Sequence, residues 1–167
     1  MRGRFLLLLL ALVLLLPGCS QVGHRQDAEY LLYFAADTQN GHGAALDTQP
    51  YLGEEEPSPD SLMAALLSGP TQEGLVSPFP RGVTLQRWAW DQEMEGNLCL
   101  WLSEQYSGLA DISLTLADYC IVLTLSQLEG VESVEIISDG HITNYRSHQI
   151  LLPQEAVLPD QTQNTAS

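Results

Sequence analysis

The chain has 167 residues, with 21 Asp and Glu against 6 Lys and Arg and a formal net charge of −15. With no lysine and with its arginines scattered, it lacks the clustered cations that displace counterions from nucleic acid, so nucleic acid is excluded as a partner. The same acidity opposes adhesion to anionic lipid or wall polymer unless a divalent cation bridges the two, and the length predicts one domain with a modest core.

Arg2 and Arg4 precede an apolar run from Phe5 to Leu16. About a dozen residues suit a cleaved signal peptide, whereas a membrane-spanning helix needs roughly 20. The run ends Leu16-Pro17-Gly18-Cys19, which resembles the bacterial lipobox, in which a small residue precedes a cysteine that is diacylated and becomes the new N-terminus. Leu16 does not fit the A-x-A pattern of an ordinary leader. One acyl chain anchors only marginally, at about 0.8 kcal/mol per buried methylene, and the several chains of a lipobox anchor stably. The expected organisation is a lipoprotein signal peptide at 1–18, a tether at 19–28, a domain at 29–152 and a disordered tail at 153–167. Cys19 is then the lipidation site, membrane lipid its partner, and the extracytoplasmic face of the cell membrane the location.

Within the domain, Tyr30 to Ala35 reads as a first strand, followed by turn formers at Asp37-Thr38-Gln39-Asn40-Gly41. From 37 to 59 the Gly, Pro and Glu content predicts a long loop. Ser58 or Asp60 can cap a helix carrying Leu62, Met63, Leu66 and Leu67, stopped at Gly69-Pro70 by a left-handed cap. Val83 to Asp91 and Leu98 to Ser103 predict a hairpin turning at Glu93 to Gly96. In its first strand Arg87, Ala89 and Asp91 alternate with Trp88 and Trp90, as on a half-exposed sheet. A helix from about Leu116 to Leu128, preceded by Ser113 and Thr115 and ended by Gly130, presents Ala117, Ile121, Leu125 and Leu128 at helical spacing. Ser133 to Ser138 is a further strand, Asp139-Gly140 a tight turn, and His141 to Ile150 a returning strand. The order strand, helix, strand, strand, helix, strand predicts an α+β two-layer sandwich, with two helices on one face of a four- to five-stranded mixed sheet.

Cys99 and Cys120 remain beside Cys19. In Leu98-Cys99-Leu100-Trp101-Leu102 the leucines take one face of a strand, so Cys99 and Trp101 take the other, while Cys120 sits on a helix expected to pack on the leucine face. A disulfide needs Cα atoms within about 7 Å, so both are expected to be free thiols.

These segments together resemble a GerMN domain, a module of spore-germination proteins. The resemblance lies in Leu31-Leu32-Tyr33-Phe34, Leu66-Leu67-Ser68-Gly69-Pro70, and the run from Leu75 through Pro78-Phe79-Pro80-Arg81-Gly82 to Leu85. It continues in Thr115-Leu116-Ala117 and in Thr124-Leu125-Ser126-Gln127-Leu128 through Gly130 to Val134, so that it spans roughly 29 to 140. Cys99-Leu100-Trp101-Leu102 departs from it, standing where such domains usually carry a small, an apolar, an acidic and an apolar residue. The resemblance implies an extracytoplasmic, non-catalytic module, similar in fold to the ring-building domains of secretion machines, that assembles with envelope proteins or with itself during sporulation or germination. It brings no catalytic residues, and only the Gly-Pro and Pro-x-Pro loops carry over, as structural features.

No chemistry-bearing pattern competes with this. His24, His42, His141 and His148 show no metal-ligand spacing, and Glu54-Glu55-Glu56 lacks the alternation and glycine of a calcium loop, so no metal and no cofactor are expected. Ser68, Ser77 and Ser126 have no nucleophile-elbow context, and Asp111 with Asp118 would do glycosidic chemistry only across a cleft. No catalytic site is expected. Trp101, beside Arg87 and Ala89 on the outward face of the hairpin, is the candidate partner surface, since an exposed tryptophan is a good interface anchor. Two alternatives stand beside this: a wall- or ligand-binding domain with a concave pocket, and a cell-wall hydrolase.

Overall fold

The structure is a computed structural model, and it describes residues 30–37, 45–138 and 150–156. Among the described residues, seven strands and two α-helices follow one another as β1 (Leu31–Ala36), β2 (Leu46–Pro50), α1 (Pro59–Ser68), β3 (Leu75–Val76), β4 (Leu85–Trp90), β5 (Asn97–Leu102), α2 (Asp111–Leu125), β6 (Ser133–Ser138) and β7 (Ile150–Leu151). The fold is α+β with two helices, as expected, but the strands divide between two sheets. One is antiparallel with order β2-β1-β3; the other is mixed with order β4-β5-β6-β7, in which β5 and β6 run parallel. The segment read as a loop contains β2, paired along β1 from Leu31↔Pro50 to Ala35↔Leu46, and this recruits β1 away from the hairpin.

α1 begins where its capping chemistry lies. The Ser58 side chain accepts from the Ser61 amide while the Ser61 hydroxyl accepts from the Ser58 amide, which satisfies two donors that the first turn would leave open. Gly69 ends the helix at φ 91° and ψ 168°, a region only glycine occupies without strain; it is not the left-handed helical cap expected from Gly-Pro.

α2 starts earlier than its sequence signals suggest, at Asp111. Thr115 does not cap it but bonds back to the Asp111 carbonyl at 3.0 Å, inside the first turn. Every residue from Cys120 to Leu125 is buried, the signature of a helix covered on most sides. Leu114, Ala117, Ile121 and Leu125 join one core with Leu32 and Phe34 of β1, Leu62, Met63 and Leu66 of α1, and Leu98, Leu100 and Leu102 of β5. On another side Cys120 and Leu123 pack against Leu46 of β2. Cys120 therefore faces the three-stranded sheet rather than the leucine face of β5.

The strand predicted over 133–138 has those bounds. Of the strand expected at His141 to Ile150, only Ile150 lies within the described residues, and it pairs with Glu135 as part of β7. Asp139-Gly140 and Cys19, with 1–29, lie outside them. The described residues continue past Leu152: Pro153–Glu155 forms a short 3-10 turn, and Ala156 packs against the Cys120 cluster.

Candidate functional site

The family-like segments turn out to be bonded to one another. β3 covers only the last two residues of β1, so Leu31 to Tyr33 would leave one backbone edge open. Gln127 closes it, accepting from the Leu31 amide at 2.9 Å and donating to the Leu31 carbonyl at 2.7 Å, and Thr124 accepts from the Tyr33 amide at 3.1 Å. The Thr-Leu-Ser-Gln-Leu run is thus an edge cap for the first strand. Gln49, buried on β2, accepts from the amides of Thr71 and Gln72 and so fixes the loop after Gly69-Pro70. Phe79 of the Pro-x-Pro segment packs on the core. These motifs build the scaffold, and function has to be sought on the surfaces it leaves.

The first such surface is the outer face of the four-stranded sheet. Leu98, Leu100 and Leu102 point inward, and Asn97, Cys99 and Trp101 point outward, as alternation required. Arg87, Ala89 and Trp101 are brought together: Arg87 pairs with Trp101 and Ala89 with Cys99. The Arg87 guanidinium lies 3.4 Å from the centroid of the Trp101 ring, a cation–π stack. Arg87 is exposed, and Ala89 and Trp101 are half-buried. The apolar residues of both helices gather with the leucines on the opposite face.

The same face carries a polar cluster that the sequence did not disclose. The Asn97 amide donates to Asp91 at 3.1 Å, Ser133 donates to the Asn97 carbonyl oxygen at 2.8 Å, and the Cys99 thiol donates to Glu135 at 3.5 Å. Asp91 also accepts from the Glu93 and Met94 amides in the hairpin turn; the Glu93 bond, then Asn97, holds its carboxyl below the usual range. Burial, then the hydrogen bond and charge of Glu135, pushes the Cys99 thiol up to about 11. One donor atom each from Asp91, Cys99 and Glu135 falls within 4.8 Å of the others, a set that could meet at a metal ion. The hydrogen bonds account for the arrangement without one. Glu135 reaches Cys99 through the parallel β5–β6 pairing, which no local spacing announces.

Cys99 and Cys120 are free, as expected. Asp111 and Asp118 do not share a cleft: Asp111 is exposed at the start of α2, and Asp118 is buried and accepts from the Tyr106 hydroxyl at 2.6 Å. Burial first, then the Asp118 charge, raises the Tyr106 hydroxyl well above its ordinary range.

The second surface is a cleft of about 930 Å³ beside the edge strand β4. Trp88 and Trp90 point to the core side of the sheet, but helix cover runs out at this edge, leaving Trp88 half-buried and Trp90 45% exposed. The Trp88 indole donates to Asp60 of α1 at 2.5 Å. Pro57, Pro59, Tyr30 and Leu128 line it together with the exposed carboxylates of Glu55, Glu56 and Glu129. Among the described residues no helix is long and apolar enough to cross a membrane.

Two sheets around a central helix, with motif residues spent on closing β1, define an α+β module of the GerMN kind. The chain belongs to the Germane family, described as sporulation and spore germination, whose model matches residues 31–143. Its fold is similar to the tandem GerMN domains of the sporulation protein GerM from Bacillus subtilis, at TM-score 0.50 and 21% identity over 74% of this chain. This chain spans 43% of that tandem structure. The first GerMN domain of the same protein matches at TM-score 0.50 and 17% identity, over 67% of this chain and 83% of that one. A Clostridium perfringens protein provisionally classed as a lipoprotein matches at TM-score 0.48 and 19% identity, over 77% of this chain and 88% of that one. No curated protein gives a significant match.

Proposed function

We propose that the chain is a non-catalytic lipoprotein, held by acyl chains on Cys19 at the extracytoplasmic face of the cell membrane, whose domain binds envelope proteins during sporulation or spore germination. The family supplies the setting. The Leu16-Pro17-Gly18-Cys19 sequence supports the anchor. The observation that carries the binding role is the Arg87–Trp101 stack on the face of the four-stranded sheet opposite the two described helices, a large aromatic and a cation paired across the strands. Such a pair is the usual composition of an interface hot spot.

A photo-crosslinking residue at Ala89 in native membranes tests the face, with Trp101→Asp as the perturbation. The expected result is a discrete adduct that the substitution abolishes, a loss of about 2 kcal/mol or more in association, with the melting temperature little changed. A mutant that melts several degrees lower yet crosslinks equally per folded molecule would make Trp101 a structural residue. For the anchor, fatty-acid labelling of the wild type and its loss in Cys19→Ser is the expected outcome; an unlabelled wild type refutes lipidation.

A further inference from the structure

We infer that the cleft beside β4 is a binding site for a cationic peptide segment, one carrying arginine or lysine. It lies on the side of the sheet opposite the Arg87–Trp101 face and does not depend on the role proposed for that face. Two features of the cleft select the ligand. Its floor is aromatic: Trp88 and Trp90 stand at alternate positions of one strand, hence on the same face, and the hydrogen bond to Asp60 fixes the first indole. Its charged lining is anionic, with Glu55, Glu56 and Glu129 all exposed.

The two described arginines are elsewhere, Arg87 on the far face of the sheet and Arg81 in the turn before β4, so no described cation lines the cleft. A guanidinium or ammonium group on the indoles would meet ring faces below and carboxylates around it, the pairing that stabilises bound cations. A neutral glycan could also stack on tryptophan, but it would leave three carboxylates without a complementary charge; a polyanion is repelled. A volume of about 930 Å³ accommodates a few residues of extended chain rather than a single ion.

The test is a tryptophan-fluorescence titration of the full chain in a non-ionic detergent, using a capped hexapeptide of alternating glycine and arginine. A chito-oligosaccharide is titrated in parallel. Saturable binding of the peptide that weakens with added salt is expected. Trp90→Ala should weaken it roughly two- to fivefold, and Glu55→Gln, Glu56→Gln and Glu129→Gln together roughly tenfold. All four side chains are exposed, so these variants keep the fold, and an unchanged melting temperature verifies it. In Trp101→Phe the fluorescence response should persist, because it originates at β4. The proposal is overturned if the oligosaccharide binds and the peptide does not. It also fails if the peptide shows no saturation up to roughly millimolar concentration, or if the carboxylate and Trp90 variants bind as well as the wild type.

Discussion

The two faces of the four-stranded sheet share the same strands and yet are built on different principles. On the inner face Leu98, Leu100 and Leu102 are at most 1% exposed and touch both helices through one continuous core. On the outer face Cys99, in the same strand, is 7% exposed, but it bonds to a carboxylate and an amide, and its neighbour Trp101 is stacked under an arginine. Low exposure therefore does not by itself mean core. The inner face holds the fold through apolar area and packing; the outer face is a polar network with one stacked aromatic, and under the binding role proposed for it, its loss should cost binding before stability.

Leu100→Ala should have the largest effect on stability. It removes a fully buried side chain at the centre of the inner face, and about 2–5 kcal/mol should be lost in a urea titration. A cost below about 1 kcal/mol would mean that the inner face relaxes around the cavity and is no tighter than the outer one.

Gln127→Leu comes next. It keeps the volume but leaves the Leu31 amide and carbonyl without the partners that close the β1 edge. An expected loss of about 1–3 kcal/mol follows from stranding part-buried polar groups. Hydrogen exchange at Leu31 should accelerate while exchange in β5 stays slow, and equal acceleration in both would show that the two sheets open as one unit.

Alkaline pH probes the two cysteine environments. Burial pushes the Cys120 thiol from 9.0 up to about 12, and Cys99 is raised to about 11. Because the folded values lie above the unfolded one, the unfolded chain releases its protons first; stability is intact below about pH 9 and falls as pH rises toward the folded values. For a fully buried thiol the slope is about 1 kcal/mol per pH unit. Urea midpoints measured at pH 8, 9 and 10 should fall above pH 9, and less steeply in Cys120→Ala. An identical slope in that variant would contradict the assignment.

Much of the scaffold was readable from the sequence because it follows local rules. Period-two alternation placed β5 and β6 and put Cys99 and Trp101 on the outer face, and capping residues placed α1. β2 was missed because Leu46-Asp47-Thr48-Gln49-Pro50 shows no apolar alternation: its buried residues, Leu46 and Gln49, lie three apart and so on opposite faces, and without β2 nothing separates one sheet from two. α2 was read about one turn late, from Leu116 to Leu128 instead of Asp111 to Leu125, because its N-cap, Ala110, has no side-chain hydrogen bond to mark the start. Of the candidate surfaces, the Arg87, Ala89 and Trp101 cluster was legible through hairpin register. The Asp91–Cys99–Glu135 cluster and the tryptophan cleft were not, since each joins segments that only the parallel pairing or the end of helix cover brings together.

The smallest expected effect is the most informative about the outer face. Arg87→Ala, Trp101→Ala and the double mutant form a cycle whose coupling energy isolates the stack from the other contacts of each residue. For a cation on an indole open to water, about 0.5–1 kcal/mol is expected, with each single mutant costing little more than that. The proposed binding role requires this small value: a face on which a partner docks would hold its aromatic in place with an exposed cation and leave the ring available. A coupling of about 2 kcal/mol or more would mean that the pair is desolvated within the protein itself. Trp101 would then belong with the leucines on the other side of the strand, and the partner would have to be sought at a different surface.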